Sequence, residues 1–208
     1  MSGKNNWDWS DLKRHRRLLT VEDHIFWAYS MLTVCRQLEK CATAGKPNPY
    51  PGGRTKATNI IMSKYQQKTL NISTLDRDDA LAQDGTPVCA HCGSTSPVYH
   101  WDHLIPRSKL NGKYIALNQV RSCPHCNTSR GDKDLMVWHR QRMTFPSLAV
   151  LRRYLKLCYF YAEQHNQLNQ AVDSSVAREL PFDPTNLPRR FPPVGMLVWD
   201  FSYPEHLR

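Results

Sequence analysis

Cys89-Ala90-His91-Cys92 and Cys123-Pro124-His125-Cys126 are two Cys-x-x-Cys knuckles. They bracket His100-Trp101-Asp102-His103-Leu104-Ile105-Pro106-Arg107-Ser108 and, further on, Ala116-Leu117-Asn118. Each knuckle can present two thiolates to one metal. Two of them satisfy tetrahedral Zn²⁺ with no open position, the pattern of a structural rather than a catalytic site. The N-terminus, Met1 to Leu19, is polar and charged and has no apolar core of signal-peptide length. Without a secretion signal, paired Cys-x-x-Cys reads as metal-binding rather than as disulfides. Cys89, Cys92, Cys123 and Cys126 are therefore expected to hold one structural zinc. The other three of the seven cysteines, Cys35, Cys41 and Cys158, stand alone in apolar-patterned segments and read as small buried hydrophobes.

Zinc would account for the folding of this segment but not for an activity. The residues with chemistry lie between the knuckles and just after them: Asp102 and His103, then Asn118, then Asn127 directly behind the last cysteine, followed by Thr128-Ser129-Arg130-Gly131-Asp132-Lys133. The order Cys-x-x-Cys, Asp-His-Ile-x-Pro (here Asp102-His103-Leu104-Ile105-Pro106), a middle Asn, and Cys-x-x-Cys followed by His or Asn resembles the HNH endonucleases, the ββα-metal or His-Me finger family. The resemblance covers about 88–134, under a quarter of the chain. It implies that His103 is the general base that takes a proton from water and that Asp102 is a metal ligand. Asn127 is implied as a second metal ligand, and Asn118 as the residue that tethers the loop carrying the base. The chain departs from the family's literal name by having Asn in the last position. A carbonyl oxygen suits a hard cation better than imidazole does, which favours Mg²⁺ or Mn²⁺ as the catalytic ion.

Elementary chemistry agrees with those roles. Phosphodiester hydrolysis needs a nucleophile, neutralisation of charge at phosphorus and help for the leaving oxygen. A neutral imidazole can deprotonate water near pH 7, and one hard cation can bind both a non-bridging and a departing oxygen. Adjacent residues of a strand point to opposite faces. If 98–104 is extended, Asp102 and His103 diverge, and the loop must bend for both to serve one phosphate. His100 could share the Asp102 face as an extra ligand or as packing, packing being the preferred reading, and His125, inside its knuckle, is expected to face solvent.

Outside this unit the pattern is helical. Thr20 and Asp23 have capping-box spacing, and Val21, Ile25, Ala28, Leu32, Cys35 and Leu38 recur at helical intervals until Gly45 and the Pro47–Gly53 stretch. Shorter helices are expected over 56–68 and 75–83, and further helices over 135–143 and 147–172. After Asp173 prolines recur, which predicts an extended tail anchored by Phe182, Phe191, Trp199 and Phe201. The expected fold class is α+β and mainly α-helical. A zinc-stapled ββα unit (87–145) sits between a helical N-terminal region with a basic segment (1–86) and a long helix with a Pro-rich tail (146–208).

Lys and Arg number 28 against 18 Asp and Glu, a formal charge of +10, so polyanions are the expected partners. No run of 18 apolar residues could form a membrane span, and a cytosolic location with no membrane partner is expected. The expected function is metal-dependent hydrolysis of DNA, double-stranded DNA being the expected partner, leaving 5′-phosphate ends as the family implies. Restriction, anti-phage defence and mobile elements are biological settings left open, as are a homodimer and an accessory protein. Two other readings remain at this stage: a zinc module that binds nucleic acid or a protein without catalysis, and an RNA-cleaving toxin. Candidate nucleic-acid contacts are Arg107, Arg130 and Lys133 in the unit, the run Lys13, Arg14, Arg16 and Arg17, and Arg152, Arg153 and Lys156 on the later helix. If the N-terminal run grips phosphates, neutralising its four cations together lowers the slope of log affinity against log salt by about one unit for each phosphate no longer neutralised. DNA-binding titrations at several salt concentrations check this, and an unchanged slope would mean that the run faces away from DNA.

Overall fold

The structure, a computed structural model, describes residues 17–75, 87–110 and 117–201. Its architecture is α+β and mainly α-helical: helix α1 (Val21–Thr43), α2 (Arg54–Gln66), strands β1 (His100–His103) and β2 (Gln119–Ser122), then α3 (Pro124–Arg130), α4 (Leu135–Gln141), α5 (Leu148–Gln164) and the short α6 (Ser175–Arg178). The expected helix over 75–83 lies almost wholly outside the described residues, as does the run from Lys13 to Arg16.

Helix α1 begins where the capping box requires. Thr20 Oγ1 accepts from the Asp23 backbone N–H at 3.1 Å, and the Asp23 carboxylate accepts from the Thr20 N–H at 3.3 Å. Two orphan donors of the first turn are thus satisfied reciprocally. The apolar stripe of α1 packs on α2 and α5 through rings, with Phe26 5.6 Å from Tyr65 and 5.8 Å from Tyr159 between centroids. Cys35 and Cys158 are buried within this packing as small apolar groups, and Cys41 is buried near the end of α1.

Helix α5 stops at Gln164, short of the expected 172. Asn166 has a left-handed φ of +55°, and its turn bonds the Gln167 N–H back to the Ala162 carbonyl at 2.8 Å. The chain then reverses to run beside the start of α1. Thr20 and Ala171 form an antiparallel bridge, and the Val21 and Glu22 N–H groups donate to Gln170 and Leu168 carbonyls.

The tail is irregular, broken by single 3₁₀ turns at Pro184–Asn186 and Val194–Met196. Phe182, Phe191 and Trp199 are buried in the common core. Trp27 Nε1 donates to the Arg189 carbonyl at 2.8 Å, and the Leu148 and Ala149 N–H groups at the start of α5 donate to Val198 and Trp199 carbonyls, both at 2.8 Å. One hydrophobic core runs through the helices, the tail and the segment between the knuckles, taking in Leu104, Ile105, Leu110 and Val120.

His24 sits in that core, 1% exposed, with Nε2 3.4 Å from Arg189 Nη2. Burial, helped by Arg189, pushes its imidazole down to about 4. Below the usual histidine value of about 6.5 the unfolded chain takes up a proton that the folded chain refuses until pH 4. Folding stability therefore falls as pH drops from about 6.5 to 4, by about 3 kcal/mol from this group. Urea unfolding across that range should show a shallower pH dependence for His24→Gln than for the parent.

Candidate active site

The segment 89–133 forms a ββα arrangement. β1 and β2 pair antiparallel with the register His100↔Ser122, Trp101↔Arg121, Asp102↔Val120 and His103↔Gln119. α3 follows β2 directly, with Cys123 as its N-cap and Gly131 ending it. The first knuckle is pinned to β2 by the Ala90 N–H, which donates to the Arg121 carbonyl at 2.8 Å. Gly93 closes that knuckle at φ +73°, and a Cβ there would come 2.6 Å from Phe201 of the tail.

The four knuckle cysteines converge. Their sulfurs all lie within 4.8 Å of one another, with Cys92 Sγ and Cys123 Sγ 3.9 Å apart. Tetrahedral zinc with bonds of about 2.3 Å places its sulfurs about 3.8 Å apart, so the four could hold such an ion. Cys89, Cys123 and Cys126 are buried, whereas Cys92 is exposed. The Cys89–Cys126 contact pulls the Cys89 thiol down to about 3 and pushes Cys126 up. The cluster thus favours thiolate at Cys89, and a bound cation would remove the competition for protons among the sulfurs.

Asp102 and His103 diverge, as alternation along β1 demands. Asp102 turns inward and is 4% exposed. Its Oδ1 pairs with Arg130 Nη1, and its Oδ2 lies 2.8 Å from His91 Nε2. Arg130, 1% exposed, also donates Nη2 to the Leu104 carbonyl at 2.7 Å. Trp138 and His139 of α4 pack around His91, with ring centroids 5.2 and 5.9 Å away. Burial holds the His139 imidazole well below the usual histidine value, so that ring stays neutral.

His103 faces the other way and is half-buried. Its Nε2 lies 3.1 Å from the Gln119 side-chain nitrogen. An amide nitrogen can only donate, so with the side chains so placed the Nε2 lone pair accepts and the ring proton is on Nδ1. Burial lowers the His103 pKa, and Arg107 and Arg130 act in the same direction while Asp102 opposes them. The result is an imidazole that stays neutral near pH 7 with its Nε2 lone pair on the Gln119 amide.

Asn118 is 1% exposed. Its Oδ1 accepts from the Ile105 N–H at 2.8 Å, its Nδ2 donates to the Ile105 carbonyl at 2.7 Å, and its own carbonyl accepts from the Leu104 N–H at 2.8 Å. The chain just beyond His103 is thereby held on three bonds. Asn127 lies on the first turns of α3, partly exposed, and among the described residues its side-chain amide makes no hydrogen bond. It is an open oxygen donor. Each Asp102 oxygen already has a buried partner but keeps a further lone pair, so Asp102 could join Asn127 on a hard cation only by sharing an oxygen with Arg130 or His91.

The expected nucleic-acid contacts sort by exposure. Arg107, Lys133 and Arg17 are exposed, and His100 and His125 face solvent. Arg130 is corrected from a phosphate contact to a buried ion-pair partner. Arg153, 7% exposed, donates Nη1 to the Gln119 carbonyl at 2.7 Å, and Lys156, fully buried, donates to the Thr74 carbonyl at 2.8 Å. Arg152 is half-buried and donates to Ser73 Oγ at 3.1 Å. The face of α5 that reads as basic in the sequence is spent on internal carbonyls and a hydroxyl. Arg14 and Arg16 lie outside the described residues.

His91 and Gln119 are the partners that sequence reasoning missed. Both positions were predictable in part: once Asp102 is known to face inward, a buried carboxylate demands donors, and the register that opposes His103 to Gln119 follows from the hairpin.

Residues 89–133 match the family model of the HNH endonuclease, which supports a nuclease-type function for this unit. No curated protein and no solved structure gives a significant match to the chain.

Asp102→Ala would leave the Arg130 guanidinium buried without its counter-charge. The expected loss is about 3–5 kcal/mol of folding stability, and Asp102→Ala with Arg130→Met should recover much of it. Denaturant unfolding of the metal-loaded single and double variants measures both. A single variant within about 0.5 kcal/mol of the parent would show that the buried pair stabilises nothing.

Proposed function

We propose that this protein is a metal-dependent endonuclease that hydrolyses phosphodiester bonds of DNA, with His103 as the general base. The observation that carries the reading is the neutral, half-exposed imidazole at the end of β1, inside a segment that matches the HNH endonuclease family. The four cysteines hold zinc, which staples the first knuckle and β2 to the start of α3. They would supply no open coordination position and so no chemistry at phosphorus.

His103 takes a proton from the attacking water through Nε2, exchanging the Gln119 amide for that water. Asn118 keeps the strand end from moving by fixing the backbone of Leu104 and Ile105, so the base is pre-positioned rather than recruited. Arg107, exposed at the start of the turn after β1, and Lys133, exposed just beyond α3 with its Nζ also on the Ser129 carbonyl at 2.8 Å, bind phosphates on either side of the cleaved bond. A divalent ion, Mg²⁺ or Mn²⁺, would supply charge neutralisation at the phosphate; Asn127 would hold it, with Asp102 sharing an oxygen that also serves Arg130 or His91. The net charge of +10 favours approach to any polyanion.

His103→Ala should cut plasmid DNA about 10²–10⁴ times more slowly than the parent, the usual range for a lost general base, with unchanged zinc content and unfolding midpoint. Asn127→Ala should raise the Mn²⁺ concentration needed for half-maximal cleavage. Asn118→Ala should act more mildly than either. Cys126→Ser should lose zinc and unfold the unit, not merely slow it. Timed plasmid cleavage beside elemental analysis checks the set. Cleavage by His103→Ala at the parental rate would refute the assignment of the base, and no cleavage by the parent would favour the binding-module reading.

A further inference from the structure

Trp101 is 63% exposed, the most exposed of the large apolar side chains in the described structure. Tryptophan is large and is ordinarily well buried, so its position needs a reason. On β1 it alternates with Asp102, and it therefore shares the outer face with His103. The hairpin register adds the cross-strand partners of both to the same face: Arg121 opposite Trp101, and Gln119 opposite His103. That the face is common to them is borne out by the His103–Gln119 contact at 3.1 Å. Asp102 and Val120 occupy the other face and are buried.

This outer face carries an aromatic ring, a guanidinium, an amide and the candidate base, all half-buried or exposed. Two residues along a strand separate Trp101 from His103, about 7 Å, which spans about two stacked nucleotides at ~3.4 Å each. A ring at that distance meets the base of a nucleotide next to the phosphate presented to His103. Arg121 lies half-buried opposite Trp101 in the register, its guanidinium 5.8 Å from the Tyr99 ring, and supplies positive charge on this face.

We infer that Trp101 is a nucleobase-stacking residue of the substrate site, and that the site takes DNA with unpaired nucleotides beside the cleaved bond. This rests on the nuclease reading for its substrate class. A base inside an intact duplex has both its faces covered by neighbours, and inserting a ring there costs unstacking. A base in a single strand or an opened region offers its face at no such cost, and aromatic stacking on it tolerates any sequence. Arg121 then follows the adjacent phosphate.

The test uses the zinc-loaded full chain without added divalent metal, so that binding is read apart from cleavage. Fluorescein-labelled DNA is presented as a single strand, as a perfect duplex and as a duplex with a central unpaired bubble, and anisotropy gives the three affinities. Trp101→Ala should weaken binding to the single strand and the bubble by about 5- to 150-fold, the range for removal of one base stack, and to the duplex by less than about threefold. Trp101→Phe should retain most of the parental preference for unpaired DNA. The exposure of the side chain makes a folding defect an unexpected outcome, and equal unfolding midpoints for parent and variants verify this. Trp101→Ala binding all three DNAs as the parent does, or losing affinity equally for all three, overturns the stacking assignment. Cleavage with Mn²⁺ is then measured separately. If the parent cuts DNA while Trp101→Ala keeps parental affinities, the stacking inference fails and the nuclease reading stands. If Trp101→Ala shows the selective loss but no protein cuts, stacking stands and the nuclease reading fails.

Discussion

The buried carboxylate of Asp102 ties together three parts of the chain that are distant in sequence. Through Arg130 it holds the end of α3, through His91 it holds the first knuckle, and its own backbone is the middle of β1. A charge in such surroundings is tolerated only when paired and hydrogen-bonded. The same demand makes the pairing specific, because neither an apolar residue nor water in place of Arg130 would leave the carboxylate balanced. The orientation of β1 follows from it. With Asp102 inward, Trp101 and His103 must face outward, so the chemistry of the outer face is set by a bond on the inner one.

The helices supply the surroundings that make this possible. α4 covers His91 with Trp138 and His139, and its N-cap Asp134 accepts from Tyr154 of α5 at 2.7 Å. α5 in turn reaches the carbonyl of Gln119 through Arg153. A hairpin of two four-residue strands with a seven-residue helix is too small to stand without staples. Here the staples are of two kinds, the cysteine cluster and the Arg153 guanidinium donated from α5 to the Gln119 carbonyl.

Much of this was legible in the residues. The capping box at Thr20 and Asp23, the knuckles and the Asp-His, Asn, Asn order each follow from local chemistry that tertiary context does not override. What could not be read is which way a cation points. Arg153 and Lys156 have the composition of a nucleic-acid patch, yet both are buried, because carbonyls left without partners by the irregular chain around Thr74 and by β2 needed donors. Arg130 stands in the same position, since the inward turn of Asp102 needed a counter-charge that the linear pattern does not display. The end of α5 was also hidden: Asn166 adopts a left-handed turn that residues 165–172 do not announce by any glycine or proline.

The bond from Trp27 to the Arg189 carbonyl joins positions 162 apart, and the start of α5 is bonded to Val198 and Trp199. Such pairings bear on the order of assembly during synthesis. At roughly 5–20 residues per second, α1 emerges many seconds before the segment that receives its indole N–H. Its apolar stripe stays partly uncovered in the interval, closed first by α2 and then by α5. The knuckles can gather their four sulfurs as soon as residue 126 is made, after α1 has met α2 but before α5 and the tail exist, so the cysteine cluster can form ahead of the elements that complete the core.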